Sequence, residues 1–118
     1  MIIKKNPFSH AFKGLKWFAV SQWNFKIHAA ATILVLFMSI YFKLNKTEWL
    51  FIILAIAIVW LTELLNTAIE FALDKLHPEH DELVGKAKDM AAAAVLVASL
   101  AALIVGAFIF IPKIIDWF

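Results

Sequence analysis

The chain has 118 residues, no cysteine and a net charge of only +2, and 64% of it is hydrophobic, with a mean hydropathy of +0.85. One domain is the prior for this length. Its single core could not hide that much apolar surface from water, since soluble domains are nearer half apolar. Disulfides, thiolate metal sites and cysteine nucleophiles are excluded, and so weak a charge on so apolar a chain argues against a nucleic-acid partner.

Residues 1–6 read as a short polar lead. Asn6-Pro7 marks a helix start, with Asn as the N-cap and Pro at the first helical position. From there to about residue 24 the pattern is amphipathic. Phe8, Ala11, Phe12, Leu15, Ala19 and Gln22 share one side, while His10, Lys13 and Lys16 lie elsewhere. A basic amphipathic helix before a membrane span suits the interface plane. The first 26 residues lack the continuous apolar region of a cleavable signal peptide. The membrane segments are therefore expected to be permanent.

A first span is expected over about 25–42, between Lys26 and Lys43, followed by a tight loop at 43–47. A second span is expected over about 48–73, with Trp49 as its interfacial aromatic. Residues 74–84 are strongly polar and contain Pro78, so they read as a loop outside the membrane. The third helix is expected to start near Gly85 or earlier and to end before Pro112, with Trp117 and Phe118 at the far interface. Along it Gly85, Ala92, Ser99 and Gly106 recur every seven residues, a smooth seam for close approach of another helix. No other repeat is evident.

Orientation follows from lysine, which supplies every basic residue. Lys4, Lys5, Lys13, Lys16, Lys26, Lys75, Lys86 and Lys88 fall on one side, against Lys43, Lys46 and Lys113 on the other. The excess places the N-terminus and the second loop in the cytoplasm.

The second span is apolar up to Thr62 and then changes. Glu63, Asn66, Thr67, Glu70 and Asp74 fall within an arc of roughly 100° on a helix of 3.6 residues per turn. A carboxylate inside a bilayer costs at least ~2.5–3.5 kcal/mol. Such a stripe must face protein or a wet cavity, unless its members simply sit in the solvated interface, a reading that suits Asp74 better than the deeper Glu63. A carboxylate at that depth suits a general base. The third helix opens with Gly85, Lys88, Asp89 and Ala92 on one face. Lys88 can bind phosphate as a point charge, and Asp89 can orient it or help hold a metal; an ordinary interfacial ion pair is the plainer reading. His10, His77 and His80 read as exposed polar positions, and His28, at the start of the first span, as a snorkelling one. No histidine spacing matches a metal site, and no Gly-rich loop matches a nucleotide fingerprint.

Glu63-Leu-Leu-Asn66-Thr-Ala-Ile-Glu70, then Asp74, then Gly85-Lys-Ala-Lys88-Asp89-Met-Ala-Ala-Ala-Ala-Val resembles the bacterial diacylglycerol kinase and undecaprenol kinase family. The resemblance covers nearly the whole chain, including Lys13-Gly14-Leu15. It implies an all-α integral membrane protein: a homotrimer of protomers with three transmembrane helices and an N-terminal amphipathic surface helix, in the bacterial inner membrane. It implies transfer of the γ-phosphate of MgATP to a lipid hydroxyl. By position, Glu63 resembles the base for the lipid hydroxyl, with Asn66 beside it. Asn66 and Glu70 resemble metal and phosphate residues, Lys88 the phosphate-contacting lysine, and Asp89, Glu79 and Gly85 further nucleotide-site positions. Asn24-Phe25-Lys26-Ile27-His28 is more similar to the undecaprenol branch, so undecaprenol is the favoured acceptor and diacylglycerol the alternative.

One position departs. The family's second metal-binding Glu, near the end of the surface helix, is Gln22 here. Its amide could ligate Mg²⁺, but hard cations prefer carboxylates. A rearranged metal shell, a substitution made to weaken activity and a chain that has lost catalysis all fit this change. A non-catalytic nucleotide- or lipid-binding regulator is thus one competitor of the kinase reading. A small transporter or channel subunit is another, weakened by three short spans and no inverted repeat.

Overall fold

The computed structural model describes residues 6–21 and 23–118, so the polar lead up to residue 5 and Gln22 lie outside the described residues. Every element among them is a helix: α1 (Pro7–Ser21), α2 (Trp23–Tyr41), α3 (Lys46–Leu76) and α4 (Glu82–Trp117). Three of these, α2, α3 and α4, are long and apolar enough to cross a membrane. Large apolar side chains such as Phe37, Leu54 and Phe108 are exposed along them. That inverts the pattern of a soluble domain and suits a surface solvated by lipid.

Each helix end has a local cause. Asn6 starts α1 by accepting from the Phe8 amide at 2.8 Å. α2 ends in a left-handed residue, Lys43 (φ 53°). The amides of Lys43 and Leu44 donate back to the carbonyls of Ile40 and Ser39, both at 3.2 Å. This is the paired closure of a Schellman motif, and it tucks Leu44 into the core. Asn45 then opens α3 with a capping box: its side chain accepts from the Glu48 amide at 2.9 Å, and Glu48 accepts from the Asn45 amide at 3.0 Å. Asp81 caps α4 by accepting from the amides of Leu83 and Val84 at 2.8 and 3.1 Å. Those amides, that of Val84 foremost, hold the Asp81 carboxyl below its ordinary value, with His77 and His80 adding to the effect.

α3 and α4 form a closely packed antiparallel pair, and α2 leans on them more loosely. The apolar core gathers at one end, where Leu44, Ile52 and Phe110 meet Val35, Phe42 and Trp49. Glu48 is paired there with Lys113 at 3.1 Å, tying the start of α3 to the last turns of α4.

Two expectations are corrected. α4 does not end before Pro112 but runs through it to Trp117. Pro112 has no N–H for the carbonyl of Phe108. The last turn is held from outside instead, by Lys113 on Glu48 and by the Trp117 ring against Tyr41 and Phe42 at 5.3 and 6.5 Å. The loop expected over 74–84 is also shorter, because α3 continues to Leu76 and α4 begins at Glu82.

The heptad seam has a different neighbour from the nearest helix. The small residues of α4 that are buried are Ala91 and Ala98, one position before Ala92 and Ser99. Ser99 and Gly106 instead line a groove shared with α2. A Cβ at Gly85 or Gly106 would meet open space.

Candidate active site

The far half of α3 reverses the usual logic of burial. Its most enclosed side chains are polar: Glu63 is 2% exposed, Thr67 4% and Asn66 8%. One turn further on, Glu70 is half-buried, and Asp74 is exposed. The stripe therefore runs as a gradient, with Glu63 about 16 Å deeper along the helix than Asp74 at 1.5 Å per residue.

Glu63 is not left alone. His28 Nε2 of α2 lies 3.3 Å from its Oε2, and Asn24 Nδ2, one turn earlier on the same helix, donates to its Oε1 at 3.5 Å. Two polar side chains from one face of α2 thus meet the two oxygens of one buried carboxylate, Asn24 by a hydrogen bond and His28 by a nitrogen–oxygen contact, which compensates part of the cost of burial. A ring cluster stands behind them. Trp60 lies beside His28, its indole N–H donates to Thr32 Oγ1 at 2.9 Å, and Phe18 and Phe25 pack edge-on against it. Phe18 brings α1 into this cluster.

The next residues of the stripe are less engaged. Asn66 Oδ1 and Thr67 Oγ1 are buried and have no hydrogen-bond partner among the described residues. Glu70 makes no ion pair or hydrogen bond with a described residue. An open carboxylate with an orphaned amide oxygen one turn before it is a hard-oxygen donor set of the kind Mg²⁺ takes. No group of three or more His, Asp or Glu that could hold a metal occurs among the described residues. Two protein oxygens with solvent and phosphate completing the shell is the usual Mg²⁺ arrangement, so these residues fit that ion. Gln22, the other expected ligand, lies outside the described residues.

At the loop end, Lys88 is hydrogen-bonded to Asp74 across the α3–α4 interface. Both side chains are substantially exposed, so the pair is weak and can yield to a phosphate. Asp89 is exposed on the next position of α4, Gly85 is half-buried in its first turn, and Glu79 is exposed in the connecting loop, its carbonyl 3.1 Å from His77 Nδ1. The structure thus groups Glu63, Asn66 and Glu70 along one helix face, with Lys88 at the same end of the bundle. Among the described residues Glu79 and Asp89 make no hydrogen bond or ion pair with Glu63, Asn66 or Glu70.

A second feature meets the site from the side. A groove of about 560 Å³ runs between α2 and the α3–α4 pair, with Val35, Ile56, Val59, Leu103 and Phe110 among its walls and His28 in its lining. It is almost wholly apolar along its length.

His28, Asn24 and Trp60 are not legible as site residues in the sequence. Asn24 and His28 are four apart, hence on one helix face, and both are donors. That spacing is the available signal, but nothing in it names a carboxylate on another helix as the target.

A family model for prokaryotic diacylglycerol kinase matches residues 9–110. An undecaprenol kinase of Bacillus subtilis is 41% identical over 107 residues, which cover 91% of this chain and 87% of that protein. A diacylglycerol kinase of Escherichia coli strain K12 is 32% identical over 95 residues, 80% of this chain and 78% of its own length. One from Synechocystis is 34% identical over 110 residues, 92% of this chain and 63% of its own. By the extent of these matches, the chain belongs to the prokaryotic diacylglycerol kinase family.

Proposed function

We propose that this protein is a membrane lipid kinase that transfers the γ-phosphate of ATP to the primary hydroxyl of undecaprenol. The observation that carries the reading is the buried carboxylate of Glu63, met by Asn24 and His28 at the edge of an apolar groove, in a chain of this family. Undecaprenol is favoured over diacylglycerol by the greater identity to the undecaprenol kinase and by the run Asn24-Phe25-Lys26-Ile27-His28.

In this reading the lipid hydroxyl gives its proton to Glu63 as its oxygen bonds to the γ-phosphorus. The bond from that phosphorus to the β–γ bridging oxygen breaks, and ADP leaves. Phosphoryl transfer asks a protein for positioning and charge neutralisation more than for covalent chemistry. Glu70 and the Asn66 amide oxygen would hold Mg²⁺, which when bound supplies part of that neutralisation. Lys88 exchanges Asp74 for a phosphate oxygen, and Asp89, Glu79 and Gly85 line the nucleotide side. Gln22 would contribute an amide oxygen to that shell, without the charge of a glutamate. The acceptor's apolar chain is accommodated in the groove.

The same reading lays α1 in the membrane interface, places the N-terminus and the second loop in the cytoplasm, and sets the protein in the bacterial inner membrane. Three copies form a homotrimer, for which the exposed run Ala92, Ala93 and Ala94 on α4 is a supporting feature.

The test offers undecaprenol and diacylglycerol together, in equal amounts in mixed micelles, to the purified protein with MgATP. Undecaprenyl phosphate is the expected main product. Phosphatidic acid as the main product would reassign the acceptor. ATP bound without transfer to either would favour the non-catalytic reading that Gln22 keeps in play.

A further inference from the structure

We infer that His28 is a positioning residue for phosphoryl transfer, the hydrogen-bond donor that aims the Glu63 carboxylate. The inference rests on the kinase reading, and it concerns a residue whose sequence context suggests only a snorkelling side chain.

The His28 ring nitrogen Nε2 is 3.3 Å from Glu63 Oε2, with the carboxylate 2% and the imidazole 21% exposed. An ionised carboxylate buried this far needs donors, because water cannot supply them. The other donor, Asn24, is at the limit of hydrogen-bond distance, 3.5 Å. His28 is thus the shorter of the two contacts.

The imidazole is itself braced. Trp60 sits beside it with ring centroids 6.2 Å apart and planes at 60°. Trp60 is fixed by its bond to Thr32 Oγ1 at 2.9 Å and by edge-on contacts with Phe18 at 5.9 Å and Phe25 at 5.3 Å. Phe18 is 3% exposed, so α1 is locked into this brace. A side chain that needed only to reach solvent would not be set beside a ring that two others hold in place.

The lone pairs leave room for the reaction. A carboxylate offers about four acceptor positions; Asn24 takes one on Oε1, and the proposed donor His28 one on Oε2, which it approaches to 3.3 Å. Those left open can receive the hydroxyl proton. In this role Nε2 carries the ring proton that His28 donates to Glu63 Oε2. The same imidazole lines the apolar groove, so it stands where a lipid hydroxyl would meet the base.

The experiment uses the full chain in mixed micelles with undecaprenol and MgATP. His28→Ala removes the donor, and His28→Gln keeps an N–H that can reach the Nε2 position. Loss of a hydrogen bond to a charged group predicts a fall in kcat of about 10- to 100-fold for His28→Ala, with the KM for ATP within about twofold of wild type. His28→Gln is expected to restore kcat to within about fivefold of wild type. Full kcat in His28→Ala, or a His28→Gln protein as impaired as His28→Ala, would overturn the inference.

A second readout is independent of turnover. In protein labelled with ¹⁵N-histidine, the ring signals that vanish in His28→Gln identify His28. Those signals should shift in Glu63→Gln and stay fixed in Asp74→Asn. No shift in Glu63→Gln would overturn the pairing whatever the activity. If the signals shift in Glu63→Gln but the wild-type protein transfers no phosphate, the kinase reading falls and the positioning role with it, leaving the contact a structural one.

Discussion

Replacing Glu63 with glutamine separates the proposed catalytic role of the buried carboxylate from a structural one. The glutamine side chain has nearly the same volume and keeps one acceptor oxygen for the donors on α2. Removing an intramembrane charge recovers at least ~2.5–3.5 kcal/mol. Against that stands the His28 contact at 3.3 Å, which in the proposed donor role is a charged hydrogen bond of about 1.5–3 kcal/mol. The two nearly cancel, so we predict a thermal midpoint in detergent equal to or slightly above wild type. Turnover should move much further. A positioned general base contributes about 10²–10⁴-fold, so kcat should fall by that factor while nucleotide affinity is kept. The assay pairs circular-dichroism melting with phosphate transfer to undecaprenol on one preparation. Turnover within about threefold of wild type would refute Glu63 as the base. A large drop in melting temperature with turnover retained would make it a structural pin.

Three other regions of the chain can be tested separately. Lys43 holds a left-handed conformation at φ 53°, so Lys43→Gly should stabilise the protein by about 0.5–1 kcal/mol, read as a raised melting temperature; an unchanged or lower midpoint would contradict it. Asp81 is held below its ordinary value chiefly by the amide of Val84. Its contribution is therefore full above the unfolded aspartate value of about 3.9 and lost as pH falls through the lower folded value. The part of the acid-induced loss of stability that lies below that point should shrink in Asp81→Asn, which keeps the capping oxygen, and an unaltered acid profile would count against the cap. Gln22→Glu should lower the Mg²⁺ concentration needed for half-maximal transfer, since it restores a carboxylate to a hard-cation shell; an unchanged Mg²⁺ dependence would take position 22 out of that shell.

The spans and the polar stripe are legible in the sequence because both are properties of a single helix. An apolar run of membrane length shows itself in one dimension, and so do Glu63, Asn66 and Glu70 recurring on one face of it. What is not legible lies between helices. Neither Asn24 nor His28 names its target, since the contact with Glu63 depends on how α2 crosses α3. The heptad Gly85, Ala92, Ser99, Gly106 is visible as a seam, yet the buried register is that of Ala91 and Ala98. Small residues announce that something can come close, and packing decides what does. Pro112 reads as a stop for a similar reason: the contacts that carry α4 past it come from Glu48, Tyr41 and Phe42, far away in sequence.

The central claim is that phosphate moves from ATP to a lipid alcohol on this protein. The most direct measurement supplies ATP labelled at the γ-position, and separately at the α-position, to the purified protein with undecaprenol and Mg²⁺. The predicted result is γ-label in undecaprenyl phosphate, one equivalent for each ADP formed, and no α-label in lipid. ATP hydrolysis without lipid labelling, or no consumption of ATP by a folded protein, would contradict it.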